Sequence, residues 1–403
     1  MAARGGKPMR RDLTRRDAIR ALGAAGVVGL AGCGGNGDTT TTTGGDGDGD
    51  GTGDGDGTGD GDGTGDGDGD GGTTTAGGDG GMDSVRAAWV YNSEVGDLGW
   101  SWAHNEGRKT VVDEVDNVET EYTEAVAPED SERIFRQYAN DGVDVIFGCT
   151  FGYQDPMFNV AEDFPDIKFE HNTGYRTREN MGRYMGRIYQ ARFMTGVAAG
   201  MMTEANSLGY VAAFPIAEVI RGINAFTLGA RSVNDQVSTK VRWTNTWFDP
   251  PTEQEAANSL IDEGVDVMAQ HQDSPAAVQA AAESDIWATG YDAPMGEFGG
   301  ENYITSPIWH WGEFYVPTVQ AVLDGTWESD SYWEGLNAGI VDISDWGPQV
   351  PEDVKSEAES VRDSIASGDL DVWAGSAFEG ESDEFLFQDM SSYVEGVEGS
   401  VPN

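Results

Sequence analysis

Aromatic rings and carboxylates share a few loops in this chain, each placed directly after an apolar run. The first reads Asn92-Ser93-Glu94-Val95-Gly96-Asp97-Leu98-Gly99-Trp100-Ser101-Trp102, followed by His104. Others hold Phe151, Tyr153 and Asp155, then His171 to Tyr175, Trp247 to Pro250, His271-Gln272-Asp273-Ser274-Pro275 and Tyr291-Asp292. A last segment reads Ser306-Pro307-Ile308-Trp309-His310-Trp311-Gly312. Flat rings with a few carboxylates and amides suit a flat, weakly charged, hydrogen-bonding ligand: rings stack on its faces, and Asp or Asn reads its edge. Trp100, in a Gly-rich loop, Trp309 and Asp292 lead the candidates. Trp102 and His104 could instead cap the next helix. Trp309 and Trp311 flank His310, so one or both face a cleft. Trp89, Trp243 and Trp287 lie inside apolar runs and read as core, and Cys149 as a buried, inert thiol.

Catalytic patterns are thin. The chain carries no Gly-x-Ser-x-Gly elbow, no Walker loop, no His-Glu-x-x-His, and no dinucleotide glycine fingerprint after its first apolar run. His271 with Asp273 could form an acid/base pair, but no nucleophile or metal set accompanies it. The four histidines are scattered over four loops, and two cysteines cannot build a disulfide framework or a cysteine-rich zinc module. We expect no enzyme activity, no cofactor and no metal.

The elements that position these loops alternate in type. Strand candidates are Val85–Tyr91, Val118–Tyr122, Val143–Cys149, Ile167–Glu170, Leu208–Phe214, Lys240–Trp243, Val265–Gln270, Ile286–Gly290 and Asn302–Thr305. Between them lie helical windows at Ser131–Asp141, Tyr189–Thr203, Arg221–Val233 and Glu253–Glu263. This alternation predicts βαβ units and parallel sheets. Gly142-Val143-Asp144-Val145-Ile146 is echoed by Gly264-Val265-Asp266-Val267-Met268, each after an acidic amphipathic window. The expected fold is therefore α/β: two doubly wound, Rossmann-like lobes joined by a hinge, with a ligand held between them at the carboxyl ends of the strands.

The N-terminal part has a different character. Seven Lys/Arg stand among residues 1–33, with Thr14-Arg15-Arg16-Asp17-Ala18-Ile19 ahead of an apolar run from Ala18 to Ala31. That run is too short to span a bilayer comfortably, and it ends Leu30-Ala31-Gly32-Cys33. The order predicts twin-arginine export and lipid attachment at Cys33. Residues 34–81 hold twelve Asp and no basic residue in a Gly/Asp/Thr tract that cannot bury enough surface to fold. The remaining residues carry 57 acidic against 17 basic side chains, a net −40. A surface this acidic repels phosphate backbones, so nucleic acid is not expected as a partner. The even spread of acid, with Arg favoured over Lys, is the pattern of a salt-adapted surface, as in a halophilic archaeon.

From about residue 85 to 375 the chain resembles the basic membrane protein family, lipoprotein substrate-binding subunits of ABC importers for purine nucleosides and related ligands. The resemblance rests on Asp97, Trp100 and Gly107 after the first strand, and on Gly290-Tyr291-Asp292 followed by Thr305-Ser306. It also rests on Phe151–Pro156, Lys168–His171, Ala212–Ile216, Arg221–Phe226, Asp273–Pro275 and Trp309–Gly312, which together mark one branch of the family. It implies a periplasmic-binding-protein type I clamshell, a membrane permease with a cytoplasmic ATPase as partners, and an extracytoplasmic, lipid-anchored location. The expected ligand-binding set is Asp97, Trp100, Phe151, Tyr153, Asp155, Asn224, Trp247, Asp273, Asp292 and Trp309.

One departure is informative. Where nucleoside-binding members carry a Lys three residues after Thr-Ser, this chain has Trp309, and the Asn that commonly follows the first-loop aromatic is Ser101. Both changes favour a free purine base such as adenine, edge-read by Asp155, Asp273 or Asp292, over a sugar-bearing ligand. A different solute, such as a sugar or an autoinducer, and a ligand sensor for a membrane receptor are the alternatives. The expected organisation is a signal (1–33), a linker (34–82), a first lobe (83–205 plus about 306–330), a second lobe (206–305 plus about 331–375) and a tail (376–403).

Overall fold

The structure is a computed structural model and describes residues 81–402. The twin arginine, Cys33 and the Gly/Asp linker lie outside the described residues.

Two parallel sheets organise the described chain. The first runs β11-β5-β4-β3-β1-β2, built from β1 (Val85–Val90), β2 (Val118–Thr123), β3 (Val145–Gly148), β4 (Lys168–Asn172), β5 (Met181–Gly186) and β11 (Ser331–Glu334). The second runs β7-β6-β8-β9, from β6 (Ser207–Ala212), β7 (Ser238–Trp243), β8 (Val267–His271) and β9 (Trp287–Ala288). Every pairing within either sheet is parallel. The central strands are buried along their whole length apart from Arg86 on β1, as strands covered by helices on both faces must be. A short antiparallel pair, β10 (Pro307–Trp309) with β12 (Val341–Ile343), forms where the chain crosses between the lobes. The first sheet takes its edge strand from residues beyond the 330 boundary expected from sequence.

The expected strands and helices are present with shifts of a few residues, and the exceptions have a common cause. Asn302–Thr305 forms a turn with one parallel bridge, Ala288 to Tyr303, rather than a strand. β5 reads Met-Gly-Arg-Tyr-Met-Gly and β10 to β12 are three or four residues long, so none presents a β-branched run to the eye. The repeated Gly-Val-Asp segment is a real equivalence. Gly142 and Gly264 both take positive φ, 76° and 81°, three residues ahead of the first residue of β3 and β8. Asp144 then accepts Arg86 N–H at 2.7 Å, and Asp266 accepts Glu204 and Ala205 N–H at 2.6 and 2.7 Å.

Helices fill the crossovers: α1 (Trp100–Glu114), α2 (Pro128–Asn140) and α3 (Gln154–Asp163), then α4 (Tyr189–Met202) linking the lobes. The second lobe has α5 (Ala217–Val233), α6 (Pro250–Asp262) and α7 (Ala276–Glu283), followed by α8 (Gly312–Leu323) and α9 (Glu352–Ser367). α6 begins with Asp249, whose carboxylate accepts Thr252 N–H at 3.3 Å, and Pro250 fills the first turn. α1 has no such side-chain cap and no acidic residue in its first turn. Trp89 is fully buried and stacks on Phe147 at 4.6 Å, as its place on a strand predicts. Trp243 and Trp287 are half-buried against the second-lobe core.

Candidate ligand-binding site

The residues at the carboxyl ends of the strands meet in one place. Trp100 opens α1 and its indole Nε1 donates to the carbonyl of Cys149, at the end of β3, at 2.6 Å. Trp309, 6% exposed on β10, lies edge-on to Trp100 with centroids 5.6 Å apart and planes at 88°. Behind it the rings continue as a stack: Trp309 on Trp311 at 4.6 Å, and Trp311 on His104 at 4.4 Å. Gly107 makes that stack possible, since a Cβ there would lie 2.6 Å from Trp311 Cβ. The two tryptophans expected to sandwich a ligand therefore make an L-shaped wall, and Trp311, placed beside His310 on an ambiguous face by sequence, is wholly buried within it.

Carboxyl groups close the other side. Asp292 is 1% exposed and sits in left-handed backbone, φ 62°, which Asp tolerates better than most residues. Its Oδ1 accepts Trp309 Nε1 at 2.6 Å, while Oδ2 receives no donor from the protein. Asp273 lies near enough that the two carboxyl groups act on each other, and neither charge is easily borne beside the other. Burial raises Asp273 to about 7, and burial followed by the neighbouring Asp273 raises Asp292 well above the usual carboxylate range.

Residues outside the expected ligand-binding set complete the second-lobe side. Arg192 is fully buried on α4, its guanidinium 4.0 Å from the Tyr291 ring, with Nη1 donating to the Gln270 carbonyl at 2.7 Å. Its Nε and Nη2 take no protein partner, nor do His271 Nδ1 and Tyr291 Oη. His271 lies 4.2 Å from Tyr291, ring to ring, and 6.1 Å from Trp247. Burial, then Arg192 and Arg221, hold His271 well below its ordinary value, so it is neutral. On the first-lobe side, Asn172 is fully buried at the end of β4 and neither side-chain atom finds a partner. A signal for Arg192 existed: it is the lone charge in a helix whose other side chains are apolar or small apart from Gln190.

The remaining expected residues do not join this cluster. Tyr153 is buried in first-lobe core, with its hydroxyl donating to the Val126 carbonyl at 2.6 Å. Asn224 is fully buried with its amide spent on the tail, donating to Ser392 O and accepting from Val394 N–H. Asp155 is exposed and pairs with Arg176, Asp97 is exposed, and Phe151 packs on Tyr175 at 5.8 Å. Cys149 is buried and its thiol is pushed up to about 12 by that burial, so it is inert. Among the described residues no cluster of three or more His, Cys, Asp or Glu could hold a metal, and no helix is long and apolar enough to cross a membrane.

The family model for ABC transporter substrate-binding proteins of the PnrA-like (Bmp) type matches residues 84–374. The chain belongs to this family. Over 401 residues this binding protein is 61% identical to TsgA13 of Haloferax volcanii, named as an ABC transporter glucose-binding protein, covering 97% of one chain and 98% of the other. Over 332 residues it is 40% identical to a purine-binding protein of Brucella abortus, covering 79% and 95%. In fold it is similar to an ABC transporter solute-binding protein from Conexibacter woesei (TM-score 0.61, 22% identity, 72% and 98% coverage). A second, from Aeropyrum pernix, gives a TM-score of 0.62 at 17% identity, with 71% and 92% coverage. These likenesses establish the type I clamshell. The protein is a substrate-binding component of an ABC transporter, with a small-molecule ligand, a permease and an ATPase as its partners and an extracytoplasmic place of work.

Proposed function

We propose that this binding protein captures a free purine base between its lobes and delivers it to the permease. The observation that carries the reading is the carboxyl edge of Asp292, buried, with one oxygen held by an indole and the other without a protein donor, at the foot of the Trp100–Trp309 wall. A purine offers flat faces to the rings and an exocyclic amine or ring N–H to Oδ2. Arg192, with two donor nitrogens to spare, suits a ring acceptor. The 40% identity to a purine-binding protein supports the same reading.

Glucose is the second reading, because the relative at 61% identity is named for it. Indoles also pack on sugar rings, and the unpartnered Arg192, His271 and Asn172 could serve hydroxyls. Calorimetric titration of the purified protein with adenine, hypoxanthine, adenosine and glucose separates the two. Micromolar or tighter heat from a base, with quenching of tryptophan fluorescence, is expected. Heat from glucose and none from any purine overturns the purine reading and leaves the clamshell and its transport role intact.

The lipid anchor rests on Leu30-Ala31-Gly32-Cys33 after the paired arginines. Cys33→Ser is expected to release the protein from membranes into the soluble fraction, and retention in high salt would refute anchoring through that cysteine.

A further inference from the structure

Two glycines on α5 differ in what requires them. A Cβ at Gly229 would run into the Phe193 carbonyl on α4, so the close packing of the two helices depends on its absence. Nothing presses so hard on Gly222. A Cβ there would stand 3.3 Å from the Tyr210 hydroxyl and 3.7 Å from both Arg192 Nε and His271 Nδ1, contacts that a shift of a few tenths of an ångström would relieve. Alanine is also the better helix former, so neither packing nor propensity explains this glycine. The cradle it leaves is bounded by polar atoms with nothing to bond. Tyr210 Oη, Arg192 Nε and His271 Nδ1 all lack a protein partner, on residues no more than 2% exposed. The Tyr291 ring lies against the same guanidinium at 4.0 Å and the same imidazole at 4.2 Å, and its hydroxyl is likewise unpartnered.

The charge balance says what such a cradle suits. Arg192 and Arg221 are both buried, and among the described residues neither guanidinium forms an ion pair. Arg192 bonds the Gln270 carbonyl, and Arg221 bonds the carbonyls of Leu386 and Phe387. A buried charge without a counter-charge is costly, and carbonyl dipoles offset only part of that cost. We propose that the Gly222 cradle binds a chloride-sized monovalent anion, held by Arg192 Nε–H, the Tyr210 hydroxyl and His271 Nδ1–H, beside the solute site. All three groups can donate, as an anion requires. The room set aside is that of one missing methyl group, which matches a halide; the extra oxygens of sulfate or phosphate would find no donors. Glu218 stands 3.8 Å from the other ring nitrogen, Nε2. Burial pushes the Glu218 carboxyl up, which lets it face an Nε2 that carries no proton. The anion leaves Arg192 Nη2 and Asp292 Oδ2 to the solute, so that a neutral solute docks beside a guanidinium whose charge is already balanced. The site rests on the clamshell fold and on no particular solute.

Full-length protein crystallised from sodium bromide tests the site directly. Anomalous scattering at the bromine edge should place a peak between Arg192 Nε, Tyr210 Oη and His271 Nδ1. Peaks at the surface alone, an adventitious ion only, overturn the proposal, and so does a cradle that holds water without anomalous signal. A solution arm replaces gluconate, too large to enter, with chloride at constant ionic strength. An ion that binds only the folded form raises the melting temperature with the logarithm of its concentration. For a chain of this size the rise is roughly 2 °C for each tenfold of chloride above its dissociation constant. Gly222→Ala fills the cradle, keeps every donor and should lose that rise, while melting close to the wild type in gluconate. If Gly222→Ala gains as much from chloride as the wild type does, the stabilisation is a general salt effect and the site is refuted. A bromide peak without chloride-dependent stabilisation means binding at crystal concentration only and refutes it equally. The bromide arm uses the wild type, so it decides even where the variant fails to fold. Neither arm contains a solute, so failure of the purine reading leaves both results standing.

Discussion

The two lobes share a parallel α/β plan, yet they bring different chemistry to the cleft. The first contributes mainly rings: the Trp100 indole bonds the Cys149 carbonyl, and His104 Nδ1 bonds Tyr315 at 2.6 Å while its Nε2 takes no partner. The second contributes polar edges with capacity to spare, in Asp292 Oδ2, Arg192 Nε and Nη2, and His271 Nδ1. A rigid aromatic wall gives affinity to any flat or ring-shaped solute with little discrimination. Buried, unpartnered polar atoms discriminate, because a ligand that fails to pair them leaves their desolvation uncompensated. Specificity should therefore reside mainly in the second lobe, with the unpartnered Asn172 adding to it from the first, and general affinity in the first-lobe rings.

The largest expected effect breaks the second-lobe side of that contrast. Asp292→Asn tolerates the left-handed backbone and keeps an oxygen for Trp309 Nε1, but places an amide where a carboxyl oxygen stood. Replacing the acceptor with an amide leaves a buried donor on the ligand unpaired, at about 1–3 kcal/mol, so adenine affinity should fall roughly fivefold to a hundredfold. The ranking among bases should change as well, by calorimetry. A uniform loss across all bases would place discrimination elsewhere.

Trp100→Ala tests the first lobe. Removing one stacking indole is worth on the order of 1–3 kcal/mol per base, so a tenfold or greater weakening is expected for every purine, with their order preserved. A change of order would show that the ring wall also reads identity.

These two positions also show what was legible in the sequence. Trp100, Trp309, Asp273 and Asp292 follow strand ends in a βαβ reading, and the carboxyl ends of parallel strands are where such folds gather ligands. Their assembly follows from topology. Tyr153 and Asn224 belong to matched sequence strings equally well, but those strings encode packing: Tyr153 seals first-lobe core and Asn224 pins the tail at Ser392 and Val394. A motif does not say whether its polar atom faces a cleft or a neighbouring carbonyl. Arg192 was hidden for the opposite reason, since a helical window read for its apolar period conceals the one charge that period buries. The Trp309–Asp292 bond joins residues seventeen positions apart on separate strand ends, and no spacing rule announces it.

The smallest effect sharpens the contrast by its absence. Trp287, on β9, packs half-buried against second-lobe core, apart from the ring cluster of Trp100, Trp309 and Trp311. It lies on the edge strand of the second sheet, with β6 and β8 between it and β7. Trp287→Phe keeps an aromatic ring at that place and removes only part of the buried area, so binding should change by less than about twofold, within the range of a surface-distant substitution. The same variant should leave ligand-induced fluorescence quenching nearly whole, because the quenched indoles are those of the first-lobe wall and the crossing strand. If Trp287→Phe abolished the quenching while Trp100→Ala preserved it, the ligand would have to sit on the far side of the second sheet. The division of labour between the lobes would then fail at its root, since the unpartnered atoms of Asp292 and Arg192 would face no ligand at all.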